Sequence, residues 1–158
     1  MAGSAATERD DFNRAIVNEF RANEGRVGGP LADTPILLLH HIGARSGIER
    51  VTPLAYSTEA GGRHVIAASD GGSPTHPGWY HNLKARPRVE IEVGTETFRV
   101  QAEELHGPGR DALWSELVAA SASLRDHQTK TRRQIPIFVL TRADTPARAD
   151  PYARRPDR

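Results

Sequence analysis

Between Pro35 and Leu140 the chain breaks into six short β-type runs separated by glycine-rich turns, with only two long helical stretches to set against them. The runs are Pro35 to His41, Val51 to Ser57, His64 to Ser69, Val89 to Val93, Thr97 to Ala102 and Ile135 to Leu140. A parallel sheet needs a crossover between successive strands, usually a helix, and these runs follow one another without such helices. What remains is an antiparallel barrel, closed or partly open, with helices appended to it. Val89 to Val93 and Thr97 to Ala102 alternate apolar with polar and meet at Gly94-Thr95, which reads as a hairpin with a tight turn.

The first helix is expected from Asp10, because Phe12, Ile16 and Phe20 recur at intervals of four and Asp10 and Asp11 suit a helix N-terminus. Gly25 can stop it. Pro77 to Leu83 reads as a short helix begun by a proline and ended before Pro87. A second long helix is expected from Pro108, with Leu113, Leu117 and Leu124 on one stripe and Ala120 filling the gap. The polypeptide of 158 residues is one domain by size, expected over residues 10–141, with a flexible start at residues 1–9. Residues 142–158 are rich in Ala, Asp, Arg and Pro, cannot bury apolar surface, and are expected to be disordered.

Charge and composition exclude several classes of function. The formal net charge is +1, too small for a global field that would recruit nucleic acid or an anionic membrane, so any anion binding is local. There is no cysteine, which rules out disulfide scaffolds, thiolate metal sites and thiol chemistry. No leader-like or membrane-length apolar run is present, and the expected location is cytoplasmic.

Three stretches could carry chemistry. In Gly43-Ala44-Arg45-Ser46-Gly47, followed by Arg50, Pro53 and Leu54, glycines at both ends let backbone N–H groups converge, and Arg45 and Ser46 add donors suited to a phosphate or carboxylate. The plainer alternative is a hairpin loop whose arginines are solvated. In Ala67-Ala68-Ser69-Asp70-Gly71-Gly72, small residues would let a flat ring approach the backbone and Ser69 could donate to an oxygen, or the run is a strand end packed tightly on a helix. In His76-Pro77-Gly78-Trp79-Tyr80-His81-Asn82-Leu83, Trp79 and Tyr80 point to different sides of a turn, so one can face the core and the other a cleft, while Asn82 could meet a polar group of a ligand.

Other signatures are missing. Gly107-Pro108-Gly109 opens a helix but lies in no βαβ unit, and the 43–47 loop lacks the spacing and lysine of a phosphate-binding Walker loop. The seven histidines form no metal-ligand spacing, and neither Ser46 nor Ser69 sits in a nucleophile elbow.

Taken in order, L-x-x-x-x-x-G-A-R-S-G-x-x-R-x-x-P-L, A-A-S-x-G-G, H-P-x-W-Y-x-N-L and R-x-I-P resemble the deazaflavin-dependent nitroreductase family of actinobacteria, over roughly Asp11 to Thr141. The resemblance implies a mainly β split barrel of about six antiparallel strands with two to three helices, holding coenzyme F420 in an elongated cleft. It implies that Arg45, Ser46, Gly47 and Arg50 hold the coenzyme's phosphate and nearby tail. Pro53, Leu54, Ala67, Ala68 and Ser69 would line the deazaflavin ring, with Trp79 and Asn82 beside it. Where members that reduce bicyclic nitroimidazoles carry tyrosines, this chain has Ser121, Leu124 and His127, and Asp70 replaces a lysine of some relatives.

The implied activity is hydride transfer from the reduced deazaflavin to an enone, quinone or nitro compound. Ser69 or a backbone N–H would hydrogen-bond the acceptor's oxygen, and His127 or water would supply a proton. An FMN-dependent reductase on the same fold and a non-catalytic deazaflavin carrier are the alternatives. No metal is expected; a homodimer is suggested by fold analogy alone.

Overall fold

The computed structural model describes residues 2–59 and 61–143. Its strands are β1 (Ile36–Ile42), β2 (Glu49–Ala55), β3 (Ser57–Thr58), β4 (His64–Ala67), β5 (Arg88–Val93), β6 (Glu96–Glu104) and β7 (Ile137–Arg142). The helices are α1 (Ala2–Ala22), α2 (Gly78–Ala85), α3 (Gly107–Ala120) and α4 (Ala122–Thr129).

All strand pairs are antiparallel, in the order β2-β1-β5-β6-β7-β4-β3. The two edge strands, β2 and β3, are consecutive and separated by Tyr56 alone, whose N–H donates to the Pro35 carbonyl at 3.1 Å. A sheet whose opposite edges are one residue apart has to curl until they meet, so the topology makes the barrel. This is why the expected run from Val51 to Ser57 becomes two strands and the count rises to seven. The antiparallel pairing also removes any βαβ setting for Gly107-Pro108-Gly109.

The core explains which runs are continuously apolar. Leu37 and Leu39 of β1 and Phe138 and Leu140 of β7 point into the barrel with Ile66, Ile91 and Val100. Their neighbours Ile36 and Leu38 pack under α1 against Ile16, Val17 and Phe20, while Ile137 and Val139 pack with Leu117 of α3. The stretches covered on both faces, Ile36 to Leu39 of β1 and Ile137 to Leu140 of β7, are continuously apolar, whereas β5 and β6 alternate because one face meets water. At the β5–β6 hairpin Gly94 takes φ 61°, and Gly25, at φ 92°, lies so close that a Cβ there would collide with the Gly94 backbone. That contact seats the end of α1 on the hairpin.

Three expectations are corrected. Helix α1 begins at Ala2 rather than Asp10; alanines with Glu8 and Arg9 are good helix formers. Phe12, counted on the apolar stripe, is 58% exposed, since the stripe that meets β1 runs through Ile16, Val17 and Phe20 instead. The second long helix is broken at Ser121, which is extended at φ −134°, ψ 104°, and whose hydroxyl accepts from the Leu124 N–H at 3.2 Å. A serine that caps a new helix start competes with continuation of the old one. Of the tail expected to be disordered, residues 144–158 lie outside the described residues.

Candidate functional site

One open cleft of about 1670 Å³ runs along the barrel mouth, walled by β2, the end of β4, α2, α4 and the middle of α1 at Asp10, Phe12 and Asn13. It exceeds the roughly 300–1,000 Å³ of ordinary small-molecule sites, which leaves room for a long coenzyme together with an acceptor. Arg45, Ser46, Arg50, Pro53, Leu54, Ala67, Ser69, Trp79, Asn82 and His127 all line it. Of the predicted site residues, Gly47 and Ala68 do not.

The 43–47 loop is the β1–β2 hairpin connection. Gly43 N–H donates to Ile48 O at 2.9 Å and Gly47 N–H to Gly43 O at 2.9 Å, so Gly47, at φ 73°, shapes the turn and offers no free amide. Ala44 N–H donates to the Asn82 side-chain oxygen at 2.9 Å. The amides of Arg45 and Ser46 have no protein acceptor among the described residues, and both side chains are exposed at the cleft. Two unpaired amides, a hydroxyl and the guanidinium groups of Arg45 and Arg50 gather at this end of the cleft, donors of the kind that suit an anion. The loop is braced by Arg86, which donates to the Gly43 carbonyl at 3.1 Å.

Asn82 is engaged at both ends. With its oxygen facing Ala44, its amide nitrogen donates to His41 Nδ1 at 2.9 Å, and His41 Nε2 donates to Thr52 Oγ1 at 2.9 Å. His41 is 3% exposed, and burial, with smaller contributions from Arg50 and His40, lowers its pKa to about 4. It is therefore a neutral imidazole bonded through both nitrogens. Asn82, expected to meet a ligand, lines the cleft and also ties the loop to the core.

At the other end Ser69 Oγ lies 3.0 Å from His127 Nδ1, which joins the two residues singled out as catalytic candidates although 58 positions separate them. Glycine makes this possible. A Cβ on Gly72, at φ 90°, would strike the His127 carbonyl and the Lys130 side chain, so its absence lets α4 settle against the turn after Ser69. Arg133 fixes the same turn, donating to Ala68 O at 3.0 Å, Ser69 O at 2.8 Å and Ser73 O at 2.9 Å, with Nη1 also 2.9 Å from His76 Nδ1. Ala68 is fully buried behind this wall, its N–H donating to Pro136 O at 2.9 Å. Trp79 is buried against Phe138 and also lines the cleft. Residue-by-residue reading missed His41, Thr52, Arg86 and Arg133; only the R-x-I-P motif carried a signal, for Arg133.

The F420H(2)-dependent quinone reductase family model matches residues 12–142. The chain belongs to that family. It is 42% identical over 127 residues to an F420H(2)-dependent quinone reductase of Mycobacterium tuberculosis, covering 78% of this chain and 85% of the relative. A solved F420H2-dependent reductase superimposes with a TM-score of 0.60 at 40% identity, over 67% of this chain and 93% of the other. A structure described as a domain-swapped dimer does so at 0.63 and 33% identity, over 89% and 99%. With this membership the protein is an oxidoreductase that depends on coenzyme F420.

The residues present suit that group. The cleft has donors for an anion at one end, an apolar wall of Pro53, Leu54 and Ala67 for a flat ring, and hydrogen-bonding side chains beyond it. No group of three or more metal-ligating side chains occurs among the described residues, and no described helix is long and apolar enough to cross a membrane.

Proposed function

We propose that the cleft holds coenzyme F420 with its phosphate on Arg45, Ser46 and Arg50 and its ring against Pro53, Leu54 and Ala67, and that a quinone accepts the hydride beside Ser69 and His127. Enones and nitro compounds are electron-poor acceptors of the same kind. The observation that carries this reading is the continuity of one cleft from the arginine-bearing loop to the Ser69–His127 pair. When bound and reduced, the coenzyme supplies a hydride. The acceptor needs one further proton to become a hydroquinone. Ser69 hydroxyl is placed to hydrogen-bond the acceptor's oxygen, and the His127 imidazole behind it can relay the proton.

The test is a fluorescence titration with coenzyme F420 and, separately, FMN, followed by quinone, enone and nitro acceptors added to the reduced complex. Arg45→Ala is expected to weaken coenzyme binding about tenfold, the scale of a charge-assisted contact. Ser69→Ala is expected to lower kcat about tenfold with little change in coenzyme affinity. Preference for FMN over F420 refutes the cofactor assignment for this cleft; tight F420 binding with no reoxidation by any acceptor supports a carrier.

A second copy of this chain is the partner we propose, since the neighbour described as a domain-swapped dimer matches over 89% of it; light scattering at the mass of one chain excludes this. Its cytoplasmic location is likewise proposed, and recovery in a washed membrane fraction would count against it.

A further inference from the structure

His40 and His41 are adjacent on β1, and because successive side chains of a strand point to opposite faces, they stand on opposite sides of the sheet. Their hydrogen bonds require opposite protonation states. On the cleft side the Ala44 N–H fixes the Asn82 oxygen toward itself, so His41 Nδ1 accepts from the Asn82 nitrogen and Nε2 donates to Thr52. That ring works only while it is neutral. On the outer side both nitrogens of His40 face carboxylates, Nε2 at 2.6 Å from Glu92 Oε2 and Nδ1 at 2.9 Å from Glu49 Oε2. A carboxylate oxygen accepts and does not donate, and a neutral imidazole has only one N–H to give. Both contacts together are made only by an imidazolium.

This imidazolium joins three strands and a helix. Glu92 belongs to β5 and also receives Arg21 of α1, whose Nη2 lies 2.6 Å from the same oxygen. Glu49 opens β2 directly after the glycine turn, across from Ile42, and so forms the base of the hairpin whose tip carries Arg45 and Ser46. Glu90, directly across from His40 on β5, shares the outer face, with Arg99 of β6 across from it in turn, while Glu24 and Glu96 border the small groove beside Arg21 and Glu92. The His40 side chain is 16% exposed, so water replaces a lost partner poorly. Burial disfavours its charge, but the hydrogen bonds to Glu92 and Glu49 outweigh burial and raise its pKa above the ordinary histidine value.

We propose that His40 is a positioning residue for the glycine loop: its imidazolium clamps Glu49, at the base of the β1–β2 hairpin, to Glu92 on β5, and loss of its proton at alkaline pH frees Glu49 and loosens the loop's hold on the coenzyme. The effect on coenzyme rests on the F420 reading and adds a regulation to it. His41 anchors the same loop from the other face through Asn82, so two adjacent histidines bound a pH range. The loop is held from inside while His41 lacks a second proton, and from outside while His40 keeps its own.

The experiment titrates coenzyme F420 onto the wild type, His40→Gln and Glu49→Gln between about pH 6 and about pH 9, with melting curves to verify folding and nitrogen-15 NMR of the free proteins. Wild-type affinity should fall about fivefold as His40 loses its proton, the scale of one net hydrogen bond. Glu49→Gln removes one of the two carboxylates that hold the proton, so the fall should move to lower pH. In His40→Gln, whose amide does not titrate, affinity should be flat over the range. In the free wild type His40 should show both ring nitrogens protonated at neutral pH and His41 only one, and the backbone amide shifts of residues 43–49 should follow the His40 titration. A singly protonated His40 at neutral pH overturns the proposal, as does a flat wild-type profile or a fall of equal size and midpoint in all three proteins. Failure of the wild type to bind F420 at any pH overturns the cofactor reading; the clamp itself then stands or falls on whether the loop amides follow His40.

Discussion

Replacing Arg133 by methionine is expected to lower unfolding stability by about 3 kcal/mol and kcat/KM by about a hundredfold, while coenzyme affinity changes far less. The guanidinium satisfies the carbonyls of Ala68, Ser69 and Ser73 at once, and a thioether satisfies none. Three carbonyls then lose a charged donor, each loss being about 1 kcal/mol in net terms. Arg133 also orients His76, whose pKa is lowered by burial and then by Arg133 itself, so that its Nδ1 stays available as an acceptor. The catalytic loss is indirect: Arg133 does not line the cleft but holds the Ser69 backbone from behind. Lysine keeps the charge but cannot span three carbonyls, so Arg133→Lys should fall between the two. Urea unfolding checks the stability, and a split between kcat and coenzyme affinity checks the positioning role. Equal losses of coenzyme affinity and kcat would argue against it, because the anion-binding loop lies at the other end of the cleft.

Acidification from pH 6.5 to 4 should destabilise the protein through His41 by up to about 3 kcal/mol, since a lowering of the pKa from 6.5 to about 4 converts at about 1.4 kcal/mol per pH unit. In that window the unfolded chain binds a proton at this histidine and the folded one does not. Stability is therefore complete above the unfolded value and falls as the pH drops toward the folded one. Burial is the main cause, followed by Arg50 and His40, with Glu49 opposing them. His64 and His76, both lowered chiefly by burial, act in the same sense. His40 acts in the opposite sense: burial lowers it, but hydrogen bonds to Glu92 and Glu49 outweigh that and raise it, so its contribution is lost as pH rises through its folded pKa. His41→Gln isolates the effect, and its stability between pH 6.5 and 4 should have a slope smaller by about one proton than wild type. Protonating His41 also places a proton where Asn82 donates, so coenzyme affinity should fall over the same range as the loop loses its anchor. Identical slopes in the two proteins would show that His41 does not carry the acid sensitivity.

The antiparallel barrel was legible because strand spacing, glycine turns and the Gly94-Thr95 hairpin are local signals, and Gly94 indeed turns β5 into β6. The order of motifs identified the cofactor class for a related reason: each motif is a short run of residues whose spacing survives in the linear text. Arg45 and Ser46 on the loop, Arg50 just after it on β2 and Ser69 at the strand end could be named because glycine and small residues mark positions where backbone or ring approaches closely. Other features depend on distances that sequence does not encode. Asn82 reads as a ligand contact, and the sequence does not show that its amide also bridges Ala44 and His41, 38 and 41 positions away. Phe12 fits the period of its helix but misses the face that β1 covers, because only docking decides which stripe is buried. The break at Ser121 follows from a cap that competes locally with the helix, and the pairing of Ser69 with His127 follows from the close approach that Gly72 permits. The sequence alone determined the strand count to within one, the class of coenzyme and ten of the residues that line the cleft, since these follow from local periodicity and motif. Tertiary structure alone decided which polar groups remain free to meet a ligand, because a hydrogen bond between distant residues consumes donors that the sequence shows as available.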